Sequence, residues 1–350
     1  MKPGFLIIIL VLICNTAAFS QEWVKVVDLS GKWKFKIGDE AARSEPDYND
    51  SEWGTIKVPS AWENQGYHGY NGYGWYRKSF EGTPELYNKM LSVHLGYIDD
   101  VDEVYINGYL VGASGSFPPD FKTAYNAYRV YPVPNTILKT KGLNVIAVRV
   151  YDSYIEGGIL SGNIGIFNYE DPLRPDYYLE GVWKFRTGDS LIYKQTKYND
   201  GNWVNILVPG FWEEQRAPGY DGVAWYRKEF VLTSSMKNRK LVLLMGKIDD
   251  WDEVYLNGVK IGETGDIDKL KKRGYEGVSA YEEIRAYYIP PEILLQEGSN
   301  VLAVRVYDNF MRGGIYSGPV GLMYSEKFEK AVKERERKKT FWERLFGVLD

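Results

Sequence analysis

The chain is written twice. Leu29-Ser-Gly-Lys-Trp-Lys-Phe-Lys-Ile-Gly-Asp39 returns 150 positions later as Leu179-Glu-Gly-Val-Trp-Lys-Phe-Arg-Thr-Gly-Asp189. The same displacement carries Val58-Pro-Ser-Ala-Trp-Glu63 onto Val208-Pro-Gly-Phe-Trp-Glu213, and Trp75-Tyr-Arg-Lys78 onto Trp225-Tyr-Arg-Lys228. It also carries Ile98–Gly108 onto Ile248–Gly258. A six-residue insertion before Tyr281 lengthens the displacement to 156, so Asn144–Asp152 maps onto Asn300–Asp308. A period this long is one domain built twice rather than a solenoid repeat. Each copy is long enough to bury a core of its own. Any residue suspected of chemistry can therefore be checked against its twin.

Strand patterns dominate both copies. Lys32-Trp-Lys-Phe-Lys-Ile37 alternates polar with apolar, as a strand buried on one face does. Asn107-Gly108 and Asn257-Gly258 suit the positive φ angles of a type I′ hairpin turn. Val145–Tyr151 is β-branched and too short for a helix. These features predict an all-β fold of two tandem antiparallel jelly-roll sandwiches, at 21–169 and 177–324. The linker is 170–176, where Pro172 and Pro175 favour an extended, stiff spacer. Residues 325–350 are highly charged and helix-forming. Phe328, Val332, Trp342, Leu345 and Leu349 form a stripe that Arg335 and Lys339 interrupt. The expectation is a helix docked by its ends on the second sandwich; a membrane-surface helix or a protein-binding segment is the alternative.

Residues 1–20 read as a signal peptide, with Lys2, the apolar run Phe5–Cys14 and the small residues Ala18 and Ser20 before Gln21. The reading is an exported, periplasmic or extracellular protein cleaved near Ser20. Lipid anchoring at Cys14 is the lesser option, because Ile13 is bulky. A net charge of −4 gives no sign of a nucleic-acid partner.

Val58-Pro-Ser-Ala-Trp-Glu63 with Trp75-Tyr-Arg77 resembles the N-terminal jelly-roll, galactose-binding-like domain of glycoside hydrolase family 2 β-galactosidases and β-glucuronidases. Gly96–Gly108 is similar to the same kind of domain in sialate O-acetylesterases. The resemblance spans both copies. It implies a carbohydrate partner, an oligo- or polysaccharide. Family 2 enzymes carry their catalytic glutamates in a (β/α)₈ barrel of about 250 residues, and the 26 residues after position 324 supply none. The resulting expectation is a non-catalytic carbohydrate-binding protein, accessory to glycan degradation. The rivals are a glycosidase or sugar-esterase relative with an unrecognised site, and a structural or partner-binding protein.

The loop Trp62–Trp75 is the best ligand candidate, since sugars stack their C–H faces on rings and bind amides and carboxylates through hydroxyls. It offers Trp62, Glu63, Tyr67, His68, Tyr70, Asn71 and Tyr73, with Trp212, Glu213, Tyr220 and Asp221 in the second copy. The residues shared by both copies are expected to serve the fold, with Trp62 and Trp75 filling the sandwich, whereas Tyr67, His68 and Tyr73, which give way to Ala217, Pro218 and Val223 in the second copy, are the preferred residues of a specific pocket. The densest acidic cluster is Asp99, Asp100, Asp102 and Glu103, repeated as Asp249, Asp250, Asp252 and Glu253. If Val104 and Ile106 face the core, Asp102 shares their face and needs a cation. Arg77 or Arg149, with twins Arg227 and Arg305, are expected to form these structural charge pairs with Asp102, Glu103, Asp252 and Glu253. No cofactor is expected; calcium at Asp99, Asp100, Asp249 and Asp250 is the alternative use of those oxygens. Thr187-Gly-Asp-Ser190 resembles an esterase nucleophile block, but its twin has Glu40, and the two histidines, His68 and His94, both lie in the first copy.

Overall fold

A computed structural model describes residues 23–273 and 280–346, so the expected signal segment and Cys14 lie outside the described residues. The chain forms two antiparallel β-sandwiches. In the first, a six-stranded sheet runs Gly54–Val58, Gly31–Ile37, Gly72–Glu81, Leu143–Asp152, Val101–Ile106, Tyr109–Ser114. It faces a four-stranded sheet of Trp23–Asp28, Gly158–Tyr169, Met90–Asp99 and Tyr128–Val133. The second repeats both sheets in the same order, with Val204–Val208, Gly181–Thr187, Gly222–Phe230, Asn300–Asp308, Trp251–Leu256 and Val259–Thr264 over Tyr177–Tyr178, Gly314–Tyr324, Leu241–Asp249 and Ile284–Tyr288.

Sequence alternation accounts for what each strand buries. Trp33 and Phe35 enter the first core and Trp183 and Phe185 the second, while the lysines between them face outward. Val104 and Ile106 are fully buried. Asn107 has φ of 50° and Gly108 of 83°, and Asn257 and Gly258 repeat these values, so both Asn-Gly pairs make the expected hairpin turn.

The buried acid has a different partner from the expected one. Asp102 receives Arg129 Nε at 2.7 Å and the Tyr131 hydroxyl at 2.7 Å. Asp252 receives Arg285 Nε at 2.9 Å and the Tyr287 hydroxyl at 2.5 Å. Asp102 lies in the six-stranded sheet and Arg129 in the four-stranded one, so each pair ties the two layers together. Arg77 instead binds Asp50 at 2.9 Å and Arg227 binds Asp200 at 2.7 Å. Arg149 reaches Glu103 at 3.0 Å and Arg305 reaches Glu253 at 2.9 Å, the half of the expectation that holds. The reason is strand geometry: Glu103 sits opposite Arg149 in the ladder, and both point away from Asp102.

The linker is neither extended nor free. It turns at Pro172–Leu173, and Leu173 is buried with Val242, Leu244, Met323 and Ala331, the last from the C-terminal helix Ser325–Phe346. Phe328 packs on the same cluster. Arg335 pairs with Asp171 at 3.0 Å, and Lys327 pairs with Asp176. The N-terminal half of this helix is thus docked; the side chains of Trp342, Leu345 and Leu349 lie outside the described residues.

Replacing Arg129 with Leu strands a fully buried carboxylate, so we expect a loss of about 3–5 kcal/mol in denaturant unfolding. The same change at the exposed Arg174 should be near neutral. Truncation after Tyr324 uncovers Leu173 and should lower the melting temperature by about 5 °C, read by calorimetry.

Candidate functional site

A cleft lies at one edge of the second sandwich. It has a volume of about 790 Å³ and is lined by Phe211, Asp249, Asp250, Tyr281, Phe310 and Tyr316, among others. Phe211 and Tyr316 stack with centroids 5.0 Å apart and planes 6° from parallel. The Arg312 guanidinium covers the Phe211 ring at 5.0 Å and pairs with Glu214 at 3.1 Å. Phe310 and Met311 form the rim and are 70% and 73% exposed. The loop is shaped by Gly313, whose Cβ would meet the Trp212 indole at 2.1 Å; Gly157 meets Trp62 at the same distance. Only a residue without a Cβ lets the loop close over the tryptophan.

Carboxylates floor the cleft. Asp249, Asp250 and Asp308 each offer an oxygen within 4.8 Å of the others, and Asp99, Asp100 and Asp152 do the same in the first copy. Burial, then the neighbouring Asp250, pushes Asp249 up to about 8. Burial raises Asp308 and Asp99 to about 7 and Asp152 to about 6. Asp100 goes the other way: burial opposes its charge, but hydrogen bonds from Ser153 and Thr123 outweigh that and hold it below the usual range. Ser153 donates from its amide at 3.0 Å and its hydroxyl at 2.6 Å.

The residues expected to bind ligand are placed less favourably. Trp62 and Trp212 are fully buried in the cores and offer no ring face. Tyr70 and Tyr220 are also structural, each hydroxyl bonding a glycine amide (Gly38, Gly188) and a carbonyl (Tyr73, Val223). Glu63 and Glu213 accept the amides of Gly157 and Gly313, at 3.1 and 3.0 Å, and burial raises Glu213 to about 7. Tyr67 packs edge-on against Phe35, while Tyr73 stacks on Phe117 and carries Arg149 at 4.9 Å. His68, Asn71 and Asp221 are exposed.

Comparison of the copies carries the signal for the cleft. Phe211 stands one residue before Trp212, where the first copy has Ala61, and Tyr316 replaces Leu160. Arg312 replaces Glu156, while the exposed pair Phe310-Met311 answers to Tyr154-Ile155.

Residues 38–153 match the family described as the second all-β domain of β-galactosidase. The β-galactosidase BoGH2A of Bacteroides ovatus is 25% identical over 202 residues, which take in 54% of this chain and 20% of that protein. The chain therefore spans about a fifth of the curated relative it matches. Among solved structures, the β-glucuronidase of Bacteroides uniformis is 15% identical with a TM-score of 0.34, covering 82% of this chain and 28% of its own. A β-glycosidase from Bacteroides vulgatus is 22% identical with a TM-score of 0.33, covering 68% and 27%. The sandwiches of this chain are related to the β-domains of family 2 glycoside hydrolases.

Ser190 precedes the short turn Leu191–Lys194, and its neighbour Asp189 is held by Arg305 and Lys271. His94 is buried between Phe167, stacked at 4.2 Å, and Trp23, and burial lowers it to about 4, so it is neutral near pH 7. A base whose folded pKa lies below its ordinary 6.5 destabilises the fold as pH falls from 6.5 through 4. His94→Phe should remove on the order of 2–3 kcal/mol of that acid loss, read as the difference in denaturant midpoint from the parent at pH 7 and pH 4.

Proposed function

We propose that the tandem sandwiches bind carbohydrate without breaking it, as an exported accessory to glycan degradation, with the cleft of the second sandwich as the principal site. The observation that carries this reading is the combination in one cleft of an aromatic wall, Phe211 on Tyr316, with the carboxyl groups of Asp249 and Asp250. Pyranose rings need both features: an apolar face to stack on and acceptors or donors for their hydroxyls. The kinship with β-domains of glycosidases supports the same ligand class.

Carboxyl spacing favours binding over hydrolysis. Two carboxyls acting on a glycosidic bond flank it at about 5–9 Å, whereas Asp249 and Asp250 lie within 4.8 Å and hydrogen-bond each other. Such a pair has no room for the scissile oxygen between its members. In the first sandwich Ala61 and Leu160 leave no equivalent wall. The exposed His68 and Asn71, beside Tyr67 and Tyr73, are what remains there for a different, weaker contact. Weak paired sites gain from being on one chain when the ligand is polymeric.

Phe310→Ala removes an exposed ring without opening the core and should weaken glycan binding about tenfold, the scale of one stacking contact; Tyr316→Ala should abolish it. Glycan-array binding followed by calorimetry on the best ligand is the measurement. Unchanged affinity in both folded variants would refute the assignment, and turnover of nitrophenyl glycosides that is lost on Asp249→Asn would replace it with an enzyme.

A further inference from the structure

We propose that each sandwich holds a calcium ion, in the first at Asp99, Asp100 and Asp152 and in the second at Asp249, Asp250 and Asp308. Each triad brings three carboxylate oxygens within 4.8 Å of one another. That spacing suits several oxygens at 2.3–2.6 Å around one hard cation. Nitrogen and sulfur ligands, which would favour zinc, are missing from both groups.

A second observation points to a missing positive partner. Asp152 and Asp308 are fully buried, and the Oδ1 atom of each accepts a backbone amide, from Tyr154 and Phe310 respectively, at 3.2 Å. The other oxygen, Oδ2, is buried with no hydrogen-bond partner in either residue. A buried carboxylate oxygen left without a donor is costly, and natural folds rarely tolerate it. Here the same vacancy in bonding occurs at twin positions of two diverged copies. The guanidinium that acts on Asp99, from Arg129, is already committed to Asp102. A proton shared between Asp99 and Asp100 satisfies those two residues and leaves Asp152 Oδ2 as it was.

The surroundings add to the donor set. In the first copy the hydroxyls of Thr123 and Ser153 both donate to Asp100. In the second, Asn309 replaces Ser153, and Asp249 and Asp250 open onto the cleft, which gives the ion an entry path and room for water ligands. Both Asp-Asp pairs, both third carboxylates and both orphaned oxygens are retained while the aromatic wall beside them is not. The triads therefore belong to the shared framework, and the second one also opens onto the aromatic wall.

The test is calorimetric titration of the chelator-treated full chain with calcium, without any sugar. The expected result is two ions per chain with dissociation constants of about 10⁻⁴–10⁻³ M or tighter, and a rise in melting temperature. Asp152→Asn and Asp308→Asn keep the Oδ1 contact and should each remove one ion, weakening that site at least tenfold; the double variant should bind none. Circular dichroism verifies that the variants are folded. Native protein that takes up no calcium at millimolar concentration overturns the proposal. So does a folded double variant that still binds two ions. Because no glycan is present, either outcome leaves the carbohydrate reading standing or falling on its own experiment.

Discussion

The structure depends on a charge pair buried between the layers of each sandwich. Asp102 and Asp252 have no solvent exposure, and burial pushes both upward even beside Arg129 and Arg285. Such a pair contributes little net stability over an apolar replacement, but breaking it leaves a naked charge. Its value is positional. The acid comes from one sheet and the arginine and tyrosine from the other, so the three close only when both sheets are in register. A slip of one residue would turn Asp102 outward and Glu103 inward. The same guanidiniums donate to the carbonyls of Asp100 and Asp250, at 3.0 and 2.7 Å. One tie therefore sets both the sheet spacing and the acidic corner beside it.

Duplication divides framework from function. The copies agree on the buried tryptophans, the Asn-Gly turns, the Arg–Asp–Tyr tie and the carboxylate triads. They disagree at the cleft wall, where Ala61, Leu160 and Glu156 answer to Phe211, Tyr316 and Arg312. Loop residues outside the core can change at small expense in stability, and it is there that a recognition surface can diverge.

Most of the fold was legible in the chain, because strand period and turn chemistry are local. Trp33 and Phe35 announce their strand through alternation, and Asn107-Gly108 announces its turn through its tolerance of positive φ. What local pattern cannot carry is the residue opposite across a sandwich. Arg129 lies 27 residues from Asp102, and nothing in either strand's period links them; only the repeated Arg129-Val-Tyr131 and Arg285-Ala-Tyr287 gave a clue. The site was half legible for a related reason. Aromatic richness drew notice to Trp62 and Trp212, which are core residues, while the ring that lines the cleft is the neighbour, Phe211. Composition reports that rings are present, and only packing decides which are left uncovered.

Leu173 joins the two ends of the second sandwich's story. It sits in the joint between the sandwiches, yet part of its cover comes from Ala331, on the helix that follows the last strand. The surrounding ion pairs are partly exposed and worth little each, so the apolar contact does most of the holding. The tail thus clamps the linker onto the second sandwich. Whatever peels that helix away, a competing surface or a proteolytic cut, bares Leu173 and frees the linker from the second sandwich.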